Sequence, residues 1–432
     1  MKFLITYCTI LVLLIPSISN QAQETTKTRK ELVRSITNYK NSNTLAGRYI
    51  HKRKILKASS SFKEITQAIK EGDIYADEVV EKGLLRWKYY IDSLEHYTIV
   101  IIPADYNSRK QYPVEFILHG AASNPNPYAV DNYVKLSKSE IKQIEKIIVY
   151  PAAWLLSPWW SKMQVKNLSY LLRRIKRNYS IDENRVTLSG ISDGGTGSVY
   201  MANYLITPWS CFLPYISNPL SIPRLSEKEL YLHNLGNRSF FFISTKEDQL
   251  FPTSKIQEFS RQLRETGNPH KLSILPEHGH DVKWFDNYRD SIKKFTSAHL
   301  RDPYPDSINW FCHDQDHGRN HWVIIDKIGK INSFTQSDFI LRKEDSKPIT
   351  YGSIQAIRKG NTILVKTKNV IKYRLLLSPE EFNFDEGVKV FTNGSLSFKG
   401  KLQKDPEVML KWYWKDIDRS MLFASELKIR VK

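Results

Sequence analysis

The stretch Arg185–Tyr204, RVTLSGISDGGTGSVYMANY, constrains this chain more than any other. Val186-Thr187-Leu188 reads as a short buried strand. It ends at Gly190-Ile191-Ser192-Asp193-Gly194-Gly195, and a helix-compatible run with apolar Val199, Met201, Ala202 and Leu205 follows. A strand that turns this sharply into a helix needs small residues at 190 and 194. The turn would lift the Ser192 hydroxyl to the carboxyl edge of a parallel sheet, beside the positive end of a helix dipole. The plain alternative is a glycine-rich connection carrying an inert serine, so the rest of the chain has to supply partners.

The surrounding sequence repeats the same rhythm. Tyr97–Pro103, Val114–Leu118, Lys146–Tyr150, Ser239–Ser244 and Leu272–Leu275 are short apolar runs. Between them lie amphipathic segments at Val165–Asn178, Ser254–Thr266 and Tyr288–Leu300. Strands alternating with helices predict an α/β class, a doubly wound, mostly parallel sheet with helices on both faces. Glu24 to about Trp87 is polar, with helical periodicity at Arg29–Tyr39 and Ser61–Glu71; His51-Lys52-Arg53-Lys54 reads as a charged loop between them. After Arg301 the helical signal fades. Trp322–Ile325, Thr362–Lys366, Tyr373–Leu377 and Val388–Phe391 are strand-like, and Asn393-Gly394 signals a hairpin. The expected organisation is therefore a segment 1–22, a helical N-terminal extension at 23–90, a catalytic domain at 91–301 and a small all-β, sandwich-like domain at 302–432.

Lys2 followed by the apolar run Phe3–Ile15, Pro16 and small residues up to Ala22 reads as a secretory signal. The expectation is an exported chain, secreted or periplasmic, with no membrane span. The remaining cysteines, Cys211 and Cys312, allow one disulfide or two buried thiols. The formal charge is +19. Such a balance suits a polyanionic partner, but the basic residues are scattered rather than striped and no nucleic-acid module is present, so nucleic acid is the poorest fit.

A serine hydroxyl needs a general base, a group that orients the base, and donors for a developing oxyanion. Asp248, in the loop after Ser239–Ser244, is the candidate orienting acid, with Glu247 as its neighbour. His280 follows the last strand and is the candidate base, with His278 two residues away. Ser192, Asp248 and His280 occur in the order that doubly wound hydrolases use. The oxyanion donors would be backbone N–H groups: Asp193, just after the serine, and Gly120 or Ala121 in the turn after Val114–Leu118. Trp154, Trp159 and Trp160 follow the Lys146–Tyr150 strand and are candidate sugar-stacking residues. The run Cys312 to His321 is rich in possible ligands, but its spacing fits no metal template, and no metal or other cofactor is expected.

From Tyr97 to about Leu300 these motifs resemble the α/β-hydrolase superfamily: the His119-Gly120 turn, the Gly190–Gly195 elbow, Asp248 before Pro252, and Gly279-His280-Asp281. The nearest likeness is to exported bacterial esterases of the feruloyl and acetyl-xylan esterase type and to small prolyl-oligopeptidase-like hydrolases. The resemblance implies acyl-enzyme chemistry on a small-molecule or polysaccharide ester. Many members carry a glycine run where this chain has Ala121-Ala122. A peptidase of the prolyl-oligopeptidase type is the first alternative, although the roughly 75 residues between the expected cleavage near Ala22 and Tyr97 are too few for the propeller such enzymes carry. A non-catalytic glycan-binding protein on the same fold is the second, and the retained Ser, Asp and His in order argue against it.

Overall fold

The computed structural model describes residues 15–72, 81–330, 339–345 and 349–432, with side chains from residue 28 onward. Most of the expected targeting segment therefore lies outside the described residues. Helix α1 (Ile15–Asn41) begins within it. Among the described residues, no helix is long and apolar enough to cross a membrane.

The centre of the molecule is an eight-stranded sheet. Its strands are β1 (Gly83–Ile91), β2 (Leu94–Ile102), β3 (Tyr112–Leu118), β4 (Ile147–Pro151), β5 (Ile181–Ile191), β6 (Cys211–Tyr215), β7 (Ser239–Thr245) and β8 (His270–Leu275). They lie in the order β1-β2-β4-β3-β5-β6-β7-β8. Only β2 runs against its neighbours; the pairs from β4 to β8 are parallel. The crossovers carry α4 (Lys162–Asn178), α5 (Asp193–Tyr204) and α6 (Thr253–Glu265), and α7 (Phe285–Ala298) follows β8. On α4, Leu168, Leu171, Leu172 and Ile175 are all buried, as their spacing predicts, and Ser161 caps its first turn. The α/β class and the parallel sheet stand as expected.

Two expectations shift. The stretch to residue 90 is not wholly helical, because β1 already belongs to the main sheet. It pairs with β2 through a turn at Asp92-Ser93, both at positive φ. The basic tetrad His51–Lys54 is not a loop but part of helix α2 (Leu45–Ala58). With α3 (Phe62–Glu71), these N-terminal helices pack a small core of Leu32, Ile36, Ile55, Ile65 and Ile69.

The C-terminal region is not all β. It holds a five-stranded and a four-stranded sheet, packed through one core that includes Trp310, Ile354, Val323 and Leu375. A bond of 2.6 Å between the Tyr373 and Thr392 hydroxyls joins the two sheets. The Asn393-Gly394 turn closes a hairpin, both residues at positive φ. But helix α8 (Pro406–Asp416), capped by Asp405, also lies here and contributes Met409, Leu410 and Tyr413 to the N-terminal helical core. Nor is the region detached: Asp418 pairs with Arg301 at 2.8 Å and Lys176 at 3.3 Å, fully buried. Cys211 and Cys312 are buried free thiols, and burial pushes both up to about 12.

Candidate active site

The end of β5 runs into α5 through the elbow, and the backbone there has no spare room. A methyl group on Gly190 would meet the Gly194 carbonyl, and one on Gly194 would meet the Leu118 carbonyl of β3. Ser192 sits at the apex with φ 57°, ψ −119°, a strained conformation for a side-chain-bearing residue. Its N–H donates to the Tyr215 carbonyl at 3.0 Å, and its carbonyl accepts from Thr196 at 3.0 Å. The hydroxyl is thus fixed at the carboxyl edge of the sheet.

His280 lies on the loop after β8, and its Nε2 is 2.8 Å from Ser192 Oγ. Its Nδ1 is 2.7 Å from Asp248 Oδ2. The Asp248 side chain is fully buried, and its other oxygen accepts the N–H groups of Leu250 at 2.9 Å and Phe251 at 2.8 Å. A carboxylate can only accept, so Nδ1 carries the imidazole proton and Nε2 is free to accept from Ser192. The Phe251 ring stands edge-on to the His280 ring at 5.1 Å. The base loop is braced by the Thr245 hydroxyl, which donates to the Gly279 carbonyl at 2.7 Å. His278 is placed elsewhere. The His278 ring lies 3.7 Å from Asp281, and the Glu247 N–H donates to the His278 carbonyl at 3.2 Å.

The turn after β3 approaches Ser192 closely: a Cβ on Gly120 would lie 3.3 Å from that of Ser192. Ala121 takes φ 50°, the conformation that glycine would otherwise fill. The Ala122 N–H is committed to Asp193 Oδ2 at 2.9 Å. The Ala121 N–H, by contrast, has no partner among the described residues, and Asp193 opens α5, where the first N–H groups have no partner within the helix. Two contributors went unread in the sequence. One is the Asp193 carboxylate, which ties the elbow to the turn. The other is the His119 side chain, a buried hub: its Nε2 accepts from Ala153 N–H at 3.0 Å, so its Nδ1–H donates to the Gly120 carbonyl at 2.6 Å. Burial pushes His119 down to about 4, so the ring is neutral. Tyr133 stacks on it at 5.0 Å and donates its hydroxyl to the same Gly120 carbonyl at 3.2 Å. The signal available for His119 was its place immediately before the turn.

The tryptophans do not form an exposed platform. Trp159 is fully buried. Its ring fills the space left by the missing side chain of Gly197, and its indole N–H donates to the His119 carbonyl at 2.8 Å. Trp154 is buried edge-on against His96 at 5.0 Å. Trp160 is half-buried against the main core. All three serve packing, and the sugar-stacking expectation for Trp154 and Trp159 is withdrawn. Among the described residues, no group of His, Cys, Asp or Glu side chains could hold a metal ion. In the Cys312–His321 run, Asp314 instead pairs with His317 at 2.7 Å and Lys162 at 2.7 Å.

No family model matches this chain, and no curated protein matches it. Among solved structures it is similar to a thermostable esterase, at 15% identity and a TM-score of 0.41, over 50% of this chain and 63% of that one. It is also similar to Porphyromonas gingivalis dipeptidyl peptidase 4, at 13% identity and a TM-score of 0.40, over 50% of this chain and 35% of that one. A ferulic acid esterase matches at 18% identity and a TM-score of 0.41, over 51% of this chain and 99% of that one. The chain thus spans less than two thirds of the first two. On its own strand order, its elbow between β5 and α5, and Ser192, Asp248 and His280 meeting from loops after β5, β7 and β8, the chain has the α/β-hydrolase fold.

Proposed function

We propose that the protein is a serine hydrolase that cleaves a carboxylic ester through an acyl-enzyme. The observation that supports it best is the continuous chain of hydrogen bonds from Ser192 Oγ through His280 to the buried Asp248. In this reading Ser192 Oγ attacks the ester carbonyl carbon as its proton passes to His280 Nε2. The carbonyl oxygen, now anionic, is held by the N–H groups of Ala121 and Asp193. Asp248 keeps the imidazole in the correct tautomer and steadies the imidazolium that forms. The carbon–oxygen bond to the alcohol breaks, and the alcohol leaves with the proton from His280. Water then attacks the acyl-serine and gives a proton to His280, which returns it to Ser192 as the acid departs. One ester and one water yield one acid and one alcohol.

With Trp154 and Trp159 buried, a carbohydrate ester has lost the support those residues gave it. Export remains part of the proposal and rests on Lys2 and the apolar run Phe3–Ile15. The test is rapid mixing with 4-nitrophenyl acetate. We expect a burst of one nitrophenolate per protein and an acetylated Ser192 by mass spectrometry, both lost in His280→Ala. Hydrolysis of a peptide amide but of no ester would replace the esterase reading with a peptidase one.

A further inference from the structure

We propose that the site accepts a dissolved ester that is apolar on both sides of the scissile bond. Its acyl group would rest on Tyr133, Leu155 and Leu156, and its alcohol group on Leu250, Val282 and Phe285. The proposal rests on the serine-hydrolase reading above. It begins from where the molecule leaves carbon exposed. Of the fourteen large apolar side chains exposed among the described residues, these six lie on loops after β3, β4, β7 and β8 or on the first residue of α7. Those loops belong to the carboxyl edge that carries Ser192. Leu156, Leu250 and Leu155 are 71%, 63% and 60% exposed; gathered on the loops around one site, apolar side chains mark a binding surface where single scattered ones do not.

Five of the six are tied to the site by hydrogen bonds or ring contacts, and Leu156 follows Leu155 in the chain. Leu155 N–H donates to Asn124, whose own N–H donates to the Ala121 carbonyl. Tyr133 donates to Gly120. Leu250 N–H donates to Asp248. Val282 follows His280 by two residues and accepts the Phe285 N–H, and the Phe285 ring lies 6.3 Å from Tyr215, whose carbonyl holds Ser192.

The sheet order splits the six into two banks. Strands β3 and β4 lie on one side of β5, and β7 and β8 lie on the other. Ser192 stands between them. The leaving oxygen must receive the proton held on His280 Nε2, so the alcohol group lies on the His280 side, over Leu250, Val282 and Phe285. The carbonyl oxygen is held at Ala121 and Asp193. That leaves the acyl group the opposite side, over Tyr133, Leu155 and Leu156. Apolar groups laid on both banks remove carbon surface from water.

The experiment varies the two arms separately, with every substrate below its solubility limit. The acyl arm compares 4-nitrophenyl octanoate with the acetate; the alcohol arm compares hexyl acetate with methyl acetate by proton release. The full chain is expected to show kcat/KM about tenfold or more higher for the longer member of each arm. Leu155→Ser/Leu156→Ser should remove the acyl preference and keep the alcohol preference. Leu250→Ser/Val282→Ser should do the reverse, with both double variants folded as judged by thermal melts. A flat chain-length profile, equal effects of both variants on both arms, or turnover only once the substrate aggregates would overturn the proposal. If no ester is turned over and Ser192 is not acylated, the serine-hydrolase reading itself falls.

Discussion

Ser192 carries a positive φ because the elbow demands it, and the surrounding packing holds that strain. Removing the side chain should therefore stabilise the fold while abolishing chemistry. Ser192→Gly is expected to raise the unfolding free energy by roughly 1 kcal/mol and to cut turnover by at least about a thousandfold. Paired denaturant melts and rate assays would show it; a destabilised Ser192→Gly would mean the elbow is unstrained. Asp193 gives a second prediction. Its carboxylate fixes Ala122 and so the turn that presents Ala121. Asp193→Ala should lower kcat roughly tenfold with little change in KM, because an oxyanion donor acts on the transition state. At this scale the sequence offers Ser192, Asp248 and His280 in an order, and the structure joins the three by hydrogen bonds. The sequence favours His280 over His278 without excluding the latter, and it could not find the Asp193 brace, because those depend on which way a side chain turns. Nor could it show that Gly197 makes room for Trp159, which turned an expected sugar platform into core.

At the scale of elements, the parallel strands and their helices were legible because their apolar periods are clean. Three elements were not. Strand β1 joins β2 through Asp92-Ser93, a left-handed turn without glycine, so the usual hairpin signal is missing. Helix α2 buries only Ile55 fully, and its charged run hides any apolar period. Strand β6 contains Pro214, which reads as a breaker. Helix α8 did carry a signal, Asp405 followed by Pro406 at the first helical position, but strand-like neighbours outweighed it. The elbow itself yields a prediction at this scale. Gly194→Ala would press a methyl into β3, the strand beside it, and should cost about 3 kcal/mol or prevent folding, as read from soluble yield and thermal melts. A fully folded, unaltered variant would show that the β3–α5 contact can relax.

At the scale of the whole molecule, the C-terminal sheets are tied to the hydrolase core rather than hung from it. Asp418 sits buried between Arg301 and Lys176, and these cations hold its carboxyl far below the usual range. Asp418→Ala would leave both cations buried without it, and is expected to cost about 3–5 kcal/mol in a single unfolding transition. Two separated transitions would show that the regions fold independently. Acid stability follows from buried histidines. Burial pushes both His96 and His119 from 6.5 down to about 4, so the folded state keeps them neutral where the unfolded chain takes up protons. The stability linked to them is present above about pH 6.5 and is lost as pH falls toward 4, with an upper bound of about 3 kcal/mol for each. Denaturant melts across that window should show a loss that His96→Phe reduces.

The central claim is that Ser192 is an activated nucleophile, and its most direct test is labelling of the purified protein with a fluorophosphonate probe beside its Ser192→Ala variant. The account predicts stoichiometric labelling of the parent at Ser192, and none in a folded Ser192→Ala. Absence of labelling in a folded parent, or equal labelling of the variant, would contradict it.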